Sequence, residues 1–251
     1  MVAARIYAFA NQKGGVGKTT TAVNLAACLA EAGERVLLVD LDPQANATSG
    51  LGMRAGTTSS YDLLDGAPLA ELAQPSPFPN LSLVPSKPEL AGAAVELSRR
   101  ADGERFLAES LANVEGYDFV LLDCPPSLGP LTVNALGAAH RVIVPVQAEY
   151  YALEGLSQLM GSINLIKSRL NPGLAIAGVL ITMSDTRTRL AAEVEEEVRK
   201  HFGTLVFDTV VPRSVRVAEA PSHGLPVTHY DRHSRGAEAY WKVAMELVER
   251  S

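Results

Sequence analysis

The sequence predicts an α/β protein built on one doubly wound, mostly parallel sheet flanked by helices. Apolar, β-rich runs recur along the chain, and each is followed by a helical pattern, as expected when crossover helices join parallel strands. The runs are continuously apolar rather than alternating, which is typical of strands buried on both faces. The predicted strands cover residues 6–10, 36–39, 81–84, 119–122, 142–146, 176–182 and 205–211.

Composition favours a globular protein with a sizeable core. The 251 residues are 47% hydrophobic and 20% charged, and no apolar run approaches the roughly 18–20 residues that span a bilayer. The formal net charge of −6 argues against a uniformly basic surface for nucleic acid, although it permits a local patch. Cys28 and Cys124 lie in apolar surroundings and are expected to be buried thiols in a reducing cytoplasm.

We expect residues 1–251 to form a single domain. The proline-rich segment 66–88 resembles a surface connection, but nucleotide-type motifs lie on both sides of it, so we interpret it as an excursion within that domain. Amphipathic helices are predicted later in the chain. Leu190, Val194, Val198 and Phe202 recur at helical spacing, as do Tyr240, Ala244 and Val248.

A glycine-rich segment, residues 11–20, joins the first predicted strand to a helical pattern at 19–32. It reads Asn-Gln-Lys-Gly-Gly-Val-Gly-Lys-Thr-Thr. A strand, a glycine-rich turn and a helix N-terminus together bind phosphate, because backbone N–H groups and the helix dipole face the anion. Lys18 is therefore predicted to contact the β- and γ-phosphates, and the Thr19 hydroxyl to hold Mg²⁺. Further phosphate contacts are predicted from Gly14, Gly15, Val16, Gly17 and Thr20.

The loop departs from the general pattern G-x-x-x-x-G-K-[ST] at its start. Gln12 stands where the first glycine is expected, and a second lysine, Lys13, follows it. The form K-G-G-x-G-K-T is the deviant phosphate loop of the ParA/MinD group of ATPases, and this segment resembles it closely.

Acidic residues stand at the ends of two other predicted strands, where they would lie close to the glycine-rich loop. Asp123 closes the apolar run 119–122, where a carboxylate supports Mg²⁺ directly or through water. Asp40 and Asp42 follow the run 36–39 and, on an extended chain, would point the same way beside the loop. One of them is a candidate to orient an attacking water in phosphoryl transfer. Turn capping before Pro43 is the alternative for this pair.

The chain as a whole resembles the ParA-type partition ATPases of the chromosomal, Soj-like kind. The segments that carry the resemblance lie at 11–20, 39–48, 122–127, 145–155, 211–224 and 235–240. The resemblance implies a weak ATPase that uses ATP and Mg²⁺ and dimerises face to face around two ATP molecules. It implies that Lys13 crosses to the partner's ATP, that Asp42 orients water, and that Asp40 supports the Mg²⁺ shell or the loop.

The resemblance also implies adenine contacts, DNA binding and a protein partner. Family geometry puts adenine near Met183, Pro212 and Arg213. The residues between 187 and 235 mix basic and acidic side chains and by themselves predict no basic stripe. Arg187 and Arg216 match family positions that contact DNA, and Arg235 is a third candidate. The implied cycle is sequence-independent binding of double-stranded DNA by the ATP-bound dimer, then hydrolysis triggered by a ParB-type centromere-binding protein. The implied location is cytoplasmic and nucleoid-associated.

Rival functions share the phosphate loop. A MinD-like positioning ATPase needs a cationic, amphipathic C-terminal helix, whereas residues 237–251 carry only Lys242 and Arg250 as cations, so we expect no membrane binding. A nitrogenase-iron-type protein needs cluster-bridging cysteines, and the sequence has no C-x-x-C. A kinase or synthetase is the remaining enzymatic rival, although no pattern identifies a second substrate.

Overall fold

The computed structural model describes residues 3–100, 102–149, 152–185 and 187–250. Within these ranges one seven-stranded sheet forms the centre of the protein. Its strands are β1 (Arg5–Phe9), β2 (Val36–Asp40), β3 (Gln74–Pro75), β4 (Leu81–Val84), β5 (Phe119–Asp123), β6 (Arg141–Gln147) and β7 (Ala175–Thr182). They are ordered β3-β4-β2-β5-β1-β6-β7, and only the short edge pair β3–β4 is antiparallel. The predicted α/β class with a mostly parallel sheet is confirmed.

Helices cover both faces of this sheet. They are α1 (Lys18–Glu31), α2 (Asn46–Gly50), α3 (Ser60–Leu64), α4 (Leu69–Leu72), α5 (Leu90–Arg99), α6 (Phe106–Leu111), α7 (Pro130–Ala138), α8 (Ala152–Arg169), α9 (Arg189–Phe202), α10 (Val215–Glu219), α11 (Val227–Tyr230) and α12 (Arg235–Glu249). The segment 66–88, predicted to be an excursion, contains the helix α4 and contributes β3 and β4 to the same sheet. No helix in the described ranges is long and apolar enough to cross a membrane.

The strands supply two hydrophobic cores, one on each face. In β5, Val120 and Leu122 pack into the core that α3 and α5–α9 cover, whereas Phe119 and Leu121 pack into the core beneath α1, α2, α11 and α12. All four side chains are fully buried. Because successive residues of a strand point to opposite faces, burial on both sides requires an unbroken apolar run. This requirement explains the pattern from which the strands were predicted.

The predicted strand at 205–211 is wrong. The segment runs beside β7 but forms only isolated parallel bridges, which pair Val206 with Val179 and Pro212 with Ser184. Between these bridges the amides of Asp208 and Thr209 donate to the Glu246 carboxylate of α12, at 2.7 and 3.1 Å. Those amides are therefore unavailable to extend a ladder along β7. Val206, Phe207 and Val211 are buried although they form no continuous strand, whereas Leu205 is exposed.

Glu246 is therefore expected to stabilise this edge of the fold. Replacing Glu246 with alanine removes the acceptor for two backbone N–H groups and the partner of Arg250, which lies 2.7 Å away. We expect the free energy of unfolding to fall by about 1.5–3 kcal/mol, because hydrogen bonds to a charged group are lost. Urea unfolding measures the change. Glu249→Ala, on the exposed side of the same helix, should change stability by less than about 0.5 kcal/mol. Equal stability of the two variants would contradict this account.

Candidate active site

A cavity of about 410 Å³ opens where the glycine-rich loop meets the ends of the parallel strands. Most of the residues predicted for the site line this cavity: Gly14, Gly15, Gly17, Lys18, Thr19, Thr20, Asp42, Met183, Pro212 and Arg213. Val16 is buried in the loop. Lys13, Asp40 and Asp123 are not among the lining residues. The structure thus brings the loop together with the segments that follow β2 and β7.

Backbone geometry and one hydroxyl fix the shape of the loop. Gly15 and Gly17 have φ values of +76° and +87°, in the left-handed region where a side chain is strained. The Thr182 hydroxyl, at the end of β7, donates to the carbonyls of Val16 and Val146 at 2.8 and 3.1 Å. Thr182 therefore fastens the loop to the neighbouring strand ends.

Lys18 is a desolvated cation at the first position of α1. Its side chain is only 6% exposed, and its Nζ donates to the backbone carbonyl of Lys13 at 3.2 Å. Burial lowers the pKa of Lys18, and the nearby Asp123, Cys124 and Asp42 oppose that shift. A partly dehydrated ammonium group beside a helix N-terminus is suited to binding an anion.

Asp123 carries the least compensated charge of the site. Both of its carboxylate oxygens are buried and have no hydrogen-bond partner of good geometry among the described residues, although the Thr19 side chain is close enough to interact with them. Burial, followed by the charge of Asp40, raises the pKa of Asp123 well above its ordinary value, while Thr19 and Lys18 partly oppose the shift. Hard oxygen ligands with no protein partner are what Mg²⁺ requires. The donor set of Asp123 and the Thr19 hydroxyl therefore fits a magnesium ion.

Asp40 and Asp42 have different environments because β2 ends at Asp40. Asp40 is fully buried, and its two oxygens accept from the amide of Asp42 and from the amide and hydroxyl of Thr48, at 3.1, 2.8 and 2.7 Å. Burial raises the pKa of Asp40 to about 6 against these hydrogen bonds. Asp42 lines the cavity and accepts from the Gln44 amide at 2.9 Å. These hydrogen bonds hold the segment that follows β2 and do not involve the glycine-rich loop. The predicted role of Asp40 toward Mg²⁺ or the loop stays a prediction.

Lys13 lies at the mouth of the loop and contacts a different part of the chain. Its ammonium group pairs with Glu149, which follows β6, and its side chain is 49% exposed. Asn11 accepts from the Lys13 amide at 3.0 Å and donates to the Pro145 carbonyl at 2.7 Å, which anchors the start of the loop to β6. The two lysines of the motif thus occupy different environments, one inside the cavity and one at the protein surface.

The arginines predicted to contact DNA are exposed and are not among the residues that line the cavity. Arg187 pairs with Asp185 at 2.7 Å. Arg216 pairs with Glu219 and Asp231, each at 3.2 Å. Arg235 is the first residue of α12. Their role toward DNA stays a prediction.

Some residues of the site were not predicted from the sequence. The cavity wall also includes Gln44, Asn46, Pro126, Thr182, Val211, Ser214, Val217, Ala218 and Tyr240. Most of these residues lie inside the motif segments, and from that position they could have been predicted. Met183, in the wall, and Ala45, beside it, have φ values of +50° and +53°, which are strained for residues with a side chain and recur at functional sites.

The loop, the strand-end carboxylates and the parallel sheet define a P-loop ATPase of the deviant type. Residues 4–176 match the family described as AAA domain. The chromosome-partitioning ATPase Soj of Thermus thermophilus is 56% identical over 98% of this chain and 96% of that protein. The sporulation initiation inhibitor protein Soj of Bacillus subtilis is 52% identical over 97% of this chain and 98% of that protein.

A solved structure of a protein with another name shares the fold of this chain. The cobyrinic acid a,c-diamide synthase of Mycobacterium smegmatis, with bound ATP analogue and magnesium, superposes with a TM-score of 0.86 at 38% identity, covering 98% of this chain and 95% of the other. The chain belongs to the Soj/ParA family of chromosome-partitioning ATPases. The resemblance found from the sequence motifs is confirmed.

The unpartnered carboxylate of Asp123 is expected to destabilise the protein when no ligand is bound. The pKa of Asp123 is raised in the folded state, so its ionisation lowers the free energy of unfolding. This loss of stability is absent below the ordinary pKa of 3.8 and grows as the pH rises toward the folded-state pKa. At pH 8 in EDTA, the free energy of unfolding of Asp123→Asn, measured by urea unfolding, should therefore exceed that of the parent protein by about 1 kcal/mol or more. The difference should disappear toward pH 4. An asparagine variant less stable than the parent protein at pH 8 would contradict the assignment.

Proposed function

We propose that the chain is a partition ATPase that cycles between a nucleotide-free form and an ATP-bound dimer on DNA. The observation that carries the proposal is the separation of the two lysines of the loop. Lys18 is buried in the cavity wall, whereas Lys13 is half exposed and lies outside it. Within a single copy of the chain, only Lys18 is placed to bind the nucleotide. Lys13 is therefore available to the nucleotide of a second copy.

The described residues supply groups for each part of an ATP hydrolysis site. The loop 14–20 would hold the phosphates through its backbone and Lys18, and Thr19 with Asp123 would hold Mg²⁺, which neutralises phosphate charge. The bound ATP analogue and magnesium of the mycobacterial relative support these cofactors. Asp42, at the cavity wall, would orient the attacking water. Met183, Pro212 and Arg213 line the same cavity and would contact the adenine.

Dimerisation would complete this site. In a face-to-face dimer each Lys13 would leave Glu149 and meet the phosphates bound by the other copy. Exchanging a carboxylate partner for a phosphate keeps the ammonium group paired, so the exchange is favoured only when a nucleotide is present across the interface. Dimer formation would thereby depend on ATP.

Dimerisation would double the number of exposed arginines and would thereby promote DNA binding. Each copy exposes Arg187, Arg216 and Arg235, of which Arg187 pairs with Asp185 and Arg216 pairs with Glu219 and Asp231. Two copies double the number of phosphate contacts, and such contacts add in the counterion-release sense. A ParB-type partner would then stimulate hydrolysis and release the dimer from the nucleoid.

The MinD-like alternative is less well supported. Anchoring at a membrane surface needs an amphipathic helix with a free apolar face. Most of the apolar face of α12 is instead packed against the core, where Tyr240, Val243, Ala244 and Leu247 are buried, and only Met245 and Val248 of its large described apolar residues are exposed.

Substitutions of Asp42 and Lys18 test the hydrolysis mechanism, because they should have different effects on ATP binding and turnover. Asp42→Ala should keep ATP affinity within about twofold and lower turnover by about 100-fold or more, since it removes the group that orients water. Lys18→Ala should weaken ATP binding by at least about 30-fold, because a desolvated cation is lost. Fluorescent-nucleotide titration and phosphate release measure the two quantities. Asp65→Ala, an exposed carboxylate far from the loop, is the control. Normal turnover by Asp42→Ala would disprove its catalytic role.

Arg216 tests the DNA interface. With ATP present, Arg216→Ala should weaken binding to duplexes of any sequence and lower the salt dependence of the affinity by about one charge per subunit. Arg35→Ala is the matched control, because Arg35 is also exposed and paired, with Asp118 at 2.7 Å, but precedes β2 at the opposite end of the strands. Titrations at two salt concentrations, with and without ATP, measure the effect. Equal DNA binding in the absence of nucleotide would contradict the coupling to ATP.

A further inference from the structure

A buried hydrogen-bond network connects the end of β2 to the segment that follows β4. Thr48 Oγ1 donates to Asp40 Oδ2 at 2.7 Å and accepts from the Ser86 amide at 2.9 Å. Ser86 Oγ in turn donates to the carbonyl of Asp42 at 2.7 Å. Thr48 and Ser86 are each only 2% exposed, and neither lines the cavity.

The network holds Asp42 at the peptide groups on both sides of its Cα atom. The Asp42 amide donates to Asp40 Oδ1 at 3.1 Å. The Asp42 carbonyl accepts from Ser86 Oγ at 2.7 Å and from the Ala45 amide at 2.9 Å. The direction of a short side chain such as aspartate follows from the orientation of its own backbone. Thr48 and Ser86 therefore determine where the Asp42 carboxylate lies in the cavity wall.

We propose that Thr48 and Ser86 are positioning residues for ATP hydrolysis, which act by fixing Asp42. The inference rests on the proposed catalytic role of Asp42. Orienting a water for in-line attack demands accurate placement, and an error of about 1 Å can lower a rate by about 100-fold. In the part of the chain that the structure describes, no hydrogen bond of Thr48 or Ser86 involves the glycine-rich loop. Their loss should therefore affect turnover and not nucleotide binding.

The test separates positioning from a purely structural role. Ser86→Ala and Thr48→Val each remove a hydroxyl without adding bulk, and each should lower kcat by about 10- to 100-fold while nucleotide Kd changes by less than about twofold. Thr48→Ser keeps the hydroxyl and should restore turnover to near the parent rate. Ser110→Ala is the control, because its hydroxyl also donates to a backbone carbonyl, that of Leu63 at 3.1 Å, away from the cavity.

Pairing with Asp42→Ala distinguishes failure of this inference from failure of the proposed mechanism. If the network acts only through Asp42, adding Ser86→Ala to Asp42→Ala should lower turnover no further. Parent-like turnover by Ser86→Ala and Thr48→Val, with Asp42→Ala inactive, would overturn the positioning role alone. A parallel loss of nucleotide affinity and turnover, not rescued by Thr48→Ser, would also overturn it. Normal hydrolysis by Asp42→Ala would instead overturn the proposed catalytic assignment.

Discussion

The fully buried carboxylate of Asp123 is the constraint on which the site depends. Strand pairing places it directly beside Asp40 of β2 and Phe9, the last residue of β1. Asp40 receives its hydrogen bonds from the chain itself, whereas Asp123 has none among the described residues. Carboxylates gathered in this way, with Lys18 nearby, favour a bound cation, and a cation there favours phosphate above it.

Near that carboxylate, the two lysines of the glycine-rich loop have different environments. Lys18 begins α1 and lies in the cavity wall, whereas Lys13 is held at the surface by Glu149. This difference depends on contacts between the loop and the neighbouring strands, because Asn11 anchors the start of the loop to β6 and Thr182 anchors its middle to β6 and β7. The glycine-rich loop is thus shaped as much by the strands beneath it as by its own glycines.

The sequence predicted the parts of this protein that local patterns encode. Continuous apolar runs identified β1, β2, β5, β6 and β7, because burial on both faces requires an unbroken apolar run, and β4 was predicted as a short strand within the proline-rich segment. The run at 205–211 was misleading, since a carboxylate from a helix far along the chain takes two of its amides. The glycine-rich loop and the acids at strand ends were predicted from motifs. Thr182 and Ser86 were not predicted, because their contacts to the site arise from tertiary packing, which no local pattern records.

The central claim is that a second copy of the chain completes the site through Lys13. Sedimentation of the slowly hydrolysing Asp42→Ala protein, with and without ATP, tests it most directly when compared with Lys13→Ala/Asp42→Ala. We expect the first protein to shift with ATP from the 26.6 kDa monomer to a dimer, and the second to bind ATP equally well but remain monomeric. Dimers of equal stability with and without Lys13, or no response to ATP by either protein, would contradict the account.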